Sequence, residues 1–109
     1  MRFLIKVNIP VETGNRAARE GTLGKTIQRI LELSKPEAAY FTADNGQRTG
    51  FLIINVDNAS KIPLIAEPWF LAFNAGIDFR PVMVPEDLQK AGQDIASSVK
   101  NFSQEFVAV

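Results

Sequence analysis

The chain has 109 residues, with twelve Lys plus Arg against twelve Asp plus Glu and neither His nor Cys. Zero net charge gives it no general attraction to nucleic acid or to an anionic membrane surface. The missing cysteines exclude a disulfide frame, thiolate catalysis and zinc ribbons, and the missing histidines remove the commonest acid–base group and metal ligand. With 46% apolar and 22% charged residues, the composition is that of an ordinary globular domain.

Phe3, Ile5, Val7 and Ile9 alternate with Leu4, Lys6 and Asn8, the period of a strand, and Pro10 stops it. Lys6 and Asn8 interrupt the apolar run that a signal peptide needs. The longest strongly apolar run, 51–54, is far short of the ~20 residues that cross a bilayer. A cytoplasmic protein without membrane contact is the expectation. Next comes a helix with Asn15 as its cap and the stripe Leu23, Ile27, Ile30, Leu31, ended by Pro36. Gly21 and Gly24 each weaken it by about 1 kcal/mol relative to Ala, chiefly in its first half.

Strands are expected at 38–43 and 49–56, joined through Asn45-Gly46, two residues that tolerate the positive φ of a type I′ turn. A second helix covers about 60–74, with Ser60 as cap, Pro63 in its first turn and Pro68 placed to kink or split it. Residues 77–84 read as a last strand with Ile77, Phe79 and Met83 on one side. Leu88, Ala91, Ile95, Val99 and Phe102 then recur at helical spacing, and Phe106, Val107 and Val109 close the tail. The order β-α-β-β-α-β predicts a ferredoxin-like α+β domain over 1–87, an antiparallel sheet with both helices on one face. Residues 88–109 form a C-terminal helical extension.

Register carries this further. A two-residue turn at Asn45-Gly46 pairs Asp44 with Gln47, Thr42 with Thr49 and Tyr40 with Phe51, and paired residues share a face. With Phe3, Ile5 and Val7 turned to the helices, the opposite face carries Leu4, Phe51, Ile53, Val82 and Val84, with Tyr40 at one side. So many large apolar groups are unusual on an open sheet face of a soluble monomer. The expected remedy is a homodimer packed face to face about a two-fold axis. The alternative is the C-terminal helix folding back over this face in its own chain.

The element order, the Met-Arg-Phe-Leu-Ile-Lys-Val opening and the Glu67-Pro68-Trp69-Phe70 segment ahead of Pro81-Val82-Met83 resemble the dimeric α/β-barrel superfamily. That group includes muconolactone isomerases, antibiotic-biosynthesis monooxygenases and many small bacterial proteins of uncharacterised function. Over 1–87 the chain is most similar to the last of these. The resemblance implies a fold rather than a reaction, because the superfamily hosts unrelated chemistries. No catalytic motif of its characterised members is matched residue by residue.

Three segments invite a functional reading. Lys6, Asn8, Tyr40, Asn55, Asp78 and Arg80 share the helix-free face, where apolar walls and converging polar groups would suit a small ligand. Lys6 and Arg80 would hold a carboxylate or enolate, and the amides and Tyr40 would orient a carbonyl or hydroxyl. The plainer reading pairs Asp78 with Lys6 or Arg80 and leaves the amides satisfying backbone. Second, Glu67-Pro68-Trp69-Phe70 would place Trp69 at a pocket entrance, with Glu67 as a desolvated base. The plainer reading there is a buried stripe of Leu64, Ile65, Trp69 and Phe73 with Glu67 in water. Third, Gly21-Thr22-Leu23-Gly24-Lys25-Thr26 imitates a phosphate loop, but Arg19 stands where the first glycine belongs.

The hairpin tip from Asp44 to Arg48 reads as merely polar, and no carboxylate grouping calls for a metal. No cofactor is expected. The ligand-binding expectation thus rests on Lys6, Asn8, Tyr40, Asn55, Trp69 and Arg80, holding a small, partly apolar, anionic or aromatic molecule between helices and sheet. A cofactor-free isomerase or monooxygenase, with Asn8, Trp69 and Arg80 positioning a conjugated substrate, is one alternative. A non-catalytic dimerisation protein is the other. A cavity of about 300 Å³ or more beside Arg80 would favour ligand binding, and a solid interior would favour the last. The tail is expected to pack across a dimer partner.

Overall fold

The structure, a computed structural model, describes the backbone of residues 1–107 and side chains through Ser103. The side chains of Phe106, Val107 and Val109 lie outside the described residues. Four strands form one antiparallel sheet in the order β2-β3-β1-β4. They are β1 (Arg2–Ile9), β2 (Ala38–Asp44), β3 (Gln47–Asn55) and β4 (Gly76–Pro81). Helices α1 (Val11–Glu20), α2 (Leu23–Ser34) and α3 (Ile62–Phe73) cover one face, and α4 (Pro85–Lys90) and α5 (Gly92–Val107) follow β4. This α+β arrangement is compatible with a ferredoxin-like fold.

The core lies between the sheet and the first three helices. Ile5, Val7, Ile9, Leu52 and Ile54 meet Ile30, Ile65, Trp69 and Phe73, with Phe3, Ile77 and Phe79 packed at its margin. The alternation in β1 delivers this: every second residue faces the helices. Phe3 and Phe79 meet edge to face with centroids 5.9 Å apart.

The β2–β3 hairpin has the expected register. Asp44 pairs with Gln47, Thr42 with Thr49 and Tyr40 with Phe51, and Asn45 and Gly46 both take positive φ, 52° and 73°. The first helix differs from expectation, being two helices instead of one. Gly21 adopts φ 76°, its N–H bonds to the Ala18 carbonyl and the Thr22 N–H to the Ala17 carbonyl. A left-handed residue closed by those two bonds terminates α1 outright. Asn15 is not its cap: that place, just before Val11, is taken by Pro10, whose carbonyl accepts from the Gly14 N–H at 2.9 Å.

Asn58, rather than Ser60, accepts the backbone N–H that opens the turn before α3. α3 runs through Pro68 without a break and ends where Asn74 turns left-handed. β4 stops at Pro81, so Met83 lies beyond the sheet and exposed, not on its helix side. The tail is helical as expected, divided at Ala91 into α4 and α5.

Candidate functional site

The helix-free face gathers five of the six expected ligand residues. Along it Lys6 stands opposite Phe51 and Asp78, Tyr40 opposite Phe51, Leu4 opposite Ile53 and Arg80, Asn8 opposite Thr49, and Asn55 opposite Arg2. Three of these polar groups, however, already have partners outside the set. Lys6 Nζ lies 2.6 Å from Asp44, and among the described residues Asp78 forms an ion pair with neither Lys6 nor Arg80. Asn8 Oδ1 accepts from the Thr49 hydroxyl at 3.1 Å, and Asn55 Oδ1 from the N-terminal ammonium at 3.0 Å. Among the described residues, Tyr40, Asp78 and Arg80 carry the side-chain polar groups without such partners. The neighbouring cleft of about 530 Å³ is lined by Met1, Arg2, Pro81, Val82, Met83 and Asp87, not by Arg80 itself. At the sheet's end Arg2 Nε sits 2.9 Å from Glu37, whose hydrogen bond and charge raise the guanidinium above its ordinary value.

Trp69 stands apart from this set. It is fully buried on the other side of the sheet, against Phe73 and the β1–β3 core, so strand backbone separates it from Arg80. Glu67 is exposed and not a desolvated base, while Ile65, Trp69 and Phe73 form the buried stripe and Leu64 faces water.

Trp69 lines a cavity of about 220 Å³ between sheet and helices. Its buried lining is Val7, Ile9, Thr49, Gly50 and Trp69, its wall the half-buried Leu23 and Ile27 of α2. Half-buried Arg48 and exposed Phe41 and Thr42 mark its open side. Two glycines shape it. A Cβ at Gly50 would come within 3.0 Å of the Phe41 ring, so the bare backbone there lets that ring lie over the strand. A Cβ at Gly14 would meet Arg48 Nη1 at 2.6 Å, so the glycine in α1 admits the guanidinium against the helix. Arg48 then donates to Asn15 Oδ1 at 3.1 Å.

Arg48 is the residue that reasoning from the sequence placed wrongly. At a hairpin base it reads as part of a polar tip, yet it shares the helix-side face with Gly50, Leu52 and Phe41. The register alone held that signal: an arginine in phase with core residues is turned inward.

The electrostatics of the cavity run one way. The Trp69 indole N–H is buried and has no hydrogen-bond partner among the described residues. Leaving such a donor unpaired costs about 1–3 kcal/mol, and buried tryptophans normally find an acceptor. Arg48 adds a permanent positive charge that no carboxylate offsets among the described residues. The lining contains no carboxylate and therefore offers donors to a bound acceptor but no general base. Among the described residues no group of three or more Asp or Glu is placed to hold a metal ion. No helix among them is long and apolar enough to cross a membrane. Neither the models of known protein families nor the curated proteins contain a match to this sequence.

Proposed function

We propose that the protein binds a small, partly apolar organic anion, such as an aromatic or conjugated carboxylate, in the cavity between sheet and helices. The observation that carries this reading is a largely apolar cavity lined both by Trp69, whose buried indole N–H has no partner among the described residues, and by Arg48. A ligand oxygen would satisfy that donor, and Arg48 would face the carboxylate from the open side, where a guanidinium keeps contact with water until the ligand arrives. A ring would lie between Phe41 and the aliphatic wall. At about 220 Å³ and away from Arg80 the cavity falls short of the 300 Å³ expected beside that residue, and it suits a single-ring molecule at most.

Trp69 is the chain's one tryptophan, so its fluorescence reports on the cavity directly. Titration with aromatic acids, enol-lactones and quinols should shift or quench the emission and raise Tm. At a ligand concentration a hundred times Kd the added stability is about 2.7 kcal/mol. Emission and Tm unmoved across all three classes would overturn the reading. Donors without a base can stabilise negative charge on a bound oxygen but cannot carry the proton that an enol-lactone isomerisation moves, so the lining favours binding over catalysis. Turnover of an enol-lactone would overturn that preference.

The protein acts, on this reading, as a homodimer of the dimeric α/β-barrel type, as the sequence resemblance implies. Leu4, Phe51 and Ile53 form an apolar strip on the helix-free face, with Val82 just past the end of β4, and Tyr40 beside them is 67% exposed. That face is also self-complementary in charge. Asp78 and Arg80 sit two residues apart on β4, so a two-fold axis between them would bring Arg80 against the partner subunit's Asp78. Sedimentation at micromolar concentration should give about twice the 12.0 kDa of one chain; particles of one chain's mass would refute the dimer.

A further inference from the structure

α3 is apolar on both sides. Glu67 is its one charged residue, and while Ile65, Ala66, Trp69 and Phe73 face the core, Leu64, Phe70 and Leu71 stand in solvent, Leu71 at 82% exposure. A helix apolar all round is normally covered all round. Beside α2 this outer side forms a groove of about 320 Å³, in which Ile30, Leu33, Pro68, Leu71 and Ala72 make the walls and Arg29 the rim.

The same chain carries a ridge to match. Ile95, Val99 and Phe102 recur along α5 four and three residues apart, each more than half exposed. α5 stands clear of the body and packs appreciably only on α4 among the described residues. The molecule is accordingly 65 Å long, with a radius of gyration of 19.2 Å, against roughly 13 Å for a compact chain of this length. Sixteen residues make α5 a rod of roughly 24 Å, enough to span the twelve-residue helices that form the groove. Ridge and groove do not meet within one chain. One of each per chain closes reciprocally about a two-fold axis, leaving neither over. Charge agrees as well: among the described residues Arg29 at the groove rim has no acidic partner and Asp94 in the first turn of α5 has no basic one.

We propose that α5 of one chain docks in the α2–α3 groove of a second copy. This rests on the homodimer reading above and names a contact that the sheet-to-sheet dimer does not require. The chain has no cysteine, so introduced thiols report alone. Leu71→Cys and Val99→Cys, placed in separate full-length chains, mixed and mildly oxidised, should give a disulfide-linked dimer from the mixture and little from either variant alone. Self-linking of Val99→Cys would mean that two arms pair with each other. An internally bridged monomer of the double variant would mean that the arm docks at home. Either result overturns the proposal. Leu71→Asp, which leaves the sheet face intact, should weaken dimerisation about tenfold. Full-length dimers by sedimentation with no cross-link and no effect of Leu71→Asp would refute the groove contact while leaving the dimer standing; full-length monomers would remove both.

Discussion

The two faces of the sheet are built from the same four strands and differ in what they leave undone. On the helix-free face the charged and amide side chains of Lys6, Asn8 and Asn55 find Asp44, Thr49 and the N-terminus close by. On the helix-covered face nearly everything is hydrocarbon, and the exceptions, Trp69 Nε1 and Arg48, are left with an unpaired donor and an uncompensated charge. Polar residues in a row therefore mark the less reactive side. Hydrogen-bonding capacity left over in a dry place is the better sign of a ligand site, because only there does a bound acceptor replace nothing that water already supplies.

Substitutions at Trp69 put the largest load on this contrast. Trp69→Ala should cost about 3–5 kcal/mol in urea unfolding, since it empties the centre of the core. Trp69→Phe keeps an aromatic ring, discards the lone donor and leaves only a small void, so it should cost about 1–3 kcal/mol, less than the alanine, while the anion's affinity falls sharply in calorimetry. A phenylalanine variant that binds as well as the parent would detach the ligand from the indole N–H.

The next test sets one arginine against another. Arg48→Met should lower carboxylate affinity by about ten- to a hundredfold, the worth of one charge-assisted hydrogen bond, whereas Arg80→Leu should leave it unchanged. The reverse pattern would move the site to the helix-free face, where the sequence first placed it. Gly14→Ala sharpens the point without touching the ligand: its Cβ would displace Arg48, so affinity should fall in the same direction and by less.

How much of this was legible beforehand follows the range of the interactions involved. The β2–β3 hairpin and its register were readable because Asn45-Gly46 settles them within a few residues. The composition of the helix-free face followed by counting in twos. The division of the first helix turned on whether Gly21 would be tolerated inside a helix or used as its end, and nothing local decides that. The cavity was out of reach for a stronger reason. It depends on Gly14 admitting Arg48 and on Gly50 admitting Phe41, close approaches that exist only once α1 lies on β3 and β2 is paired. The course of α5 away from the body has no local signature either, since its seam has the spacing of any amphipathic helix.

Dimerisation tests the helix-free face more gently than ligand binding tests the other. Ile53→Asp places a charge in the middle of the apolar strip, and desolvating it should weaken self-association by about a hundredfold in sedimentation. Cavity binding should persist in the monomer, because Ile53 lies across the sheet from Trp69.

The smallest effect is expected where the sequence saw the most chemistry. Lys6 reaches over the Phe51 ring, its Nζ 6.0 Å from the centroid, to Asp44. Its side chain is 19% exposed and that of Asp44 38%, so water screens the pair and the coupling in a Lys6→Met, Asp44→Asn double-mutant cycle should be about 0.2–1 kcal/mol. The methionine still covers Phe51 as the lysine stem did, and anion affinity should not move. A loss of binding in Lys6→Met alone would show the ammonium serving a ligand rather than its aspartate, and would reverse the assignment of the two faces.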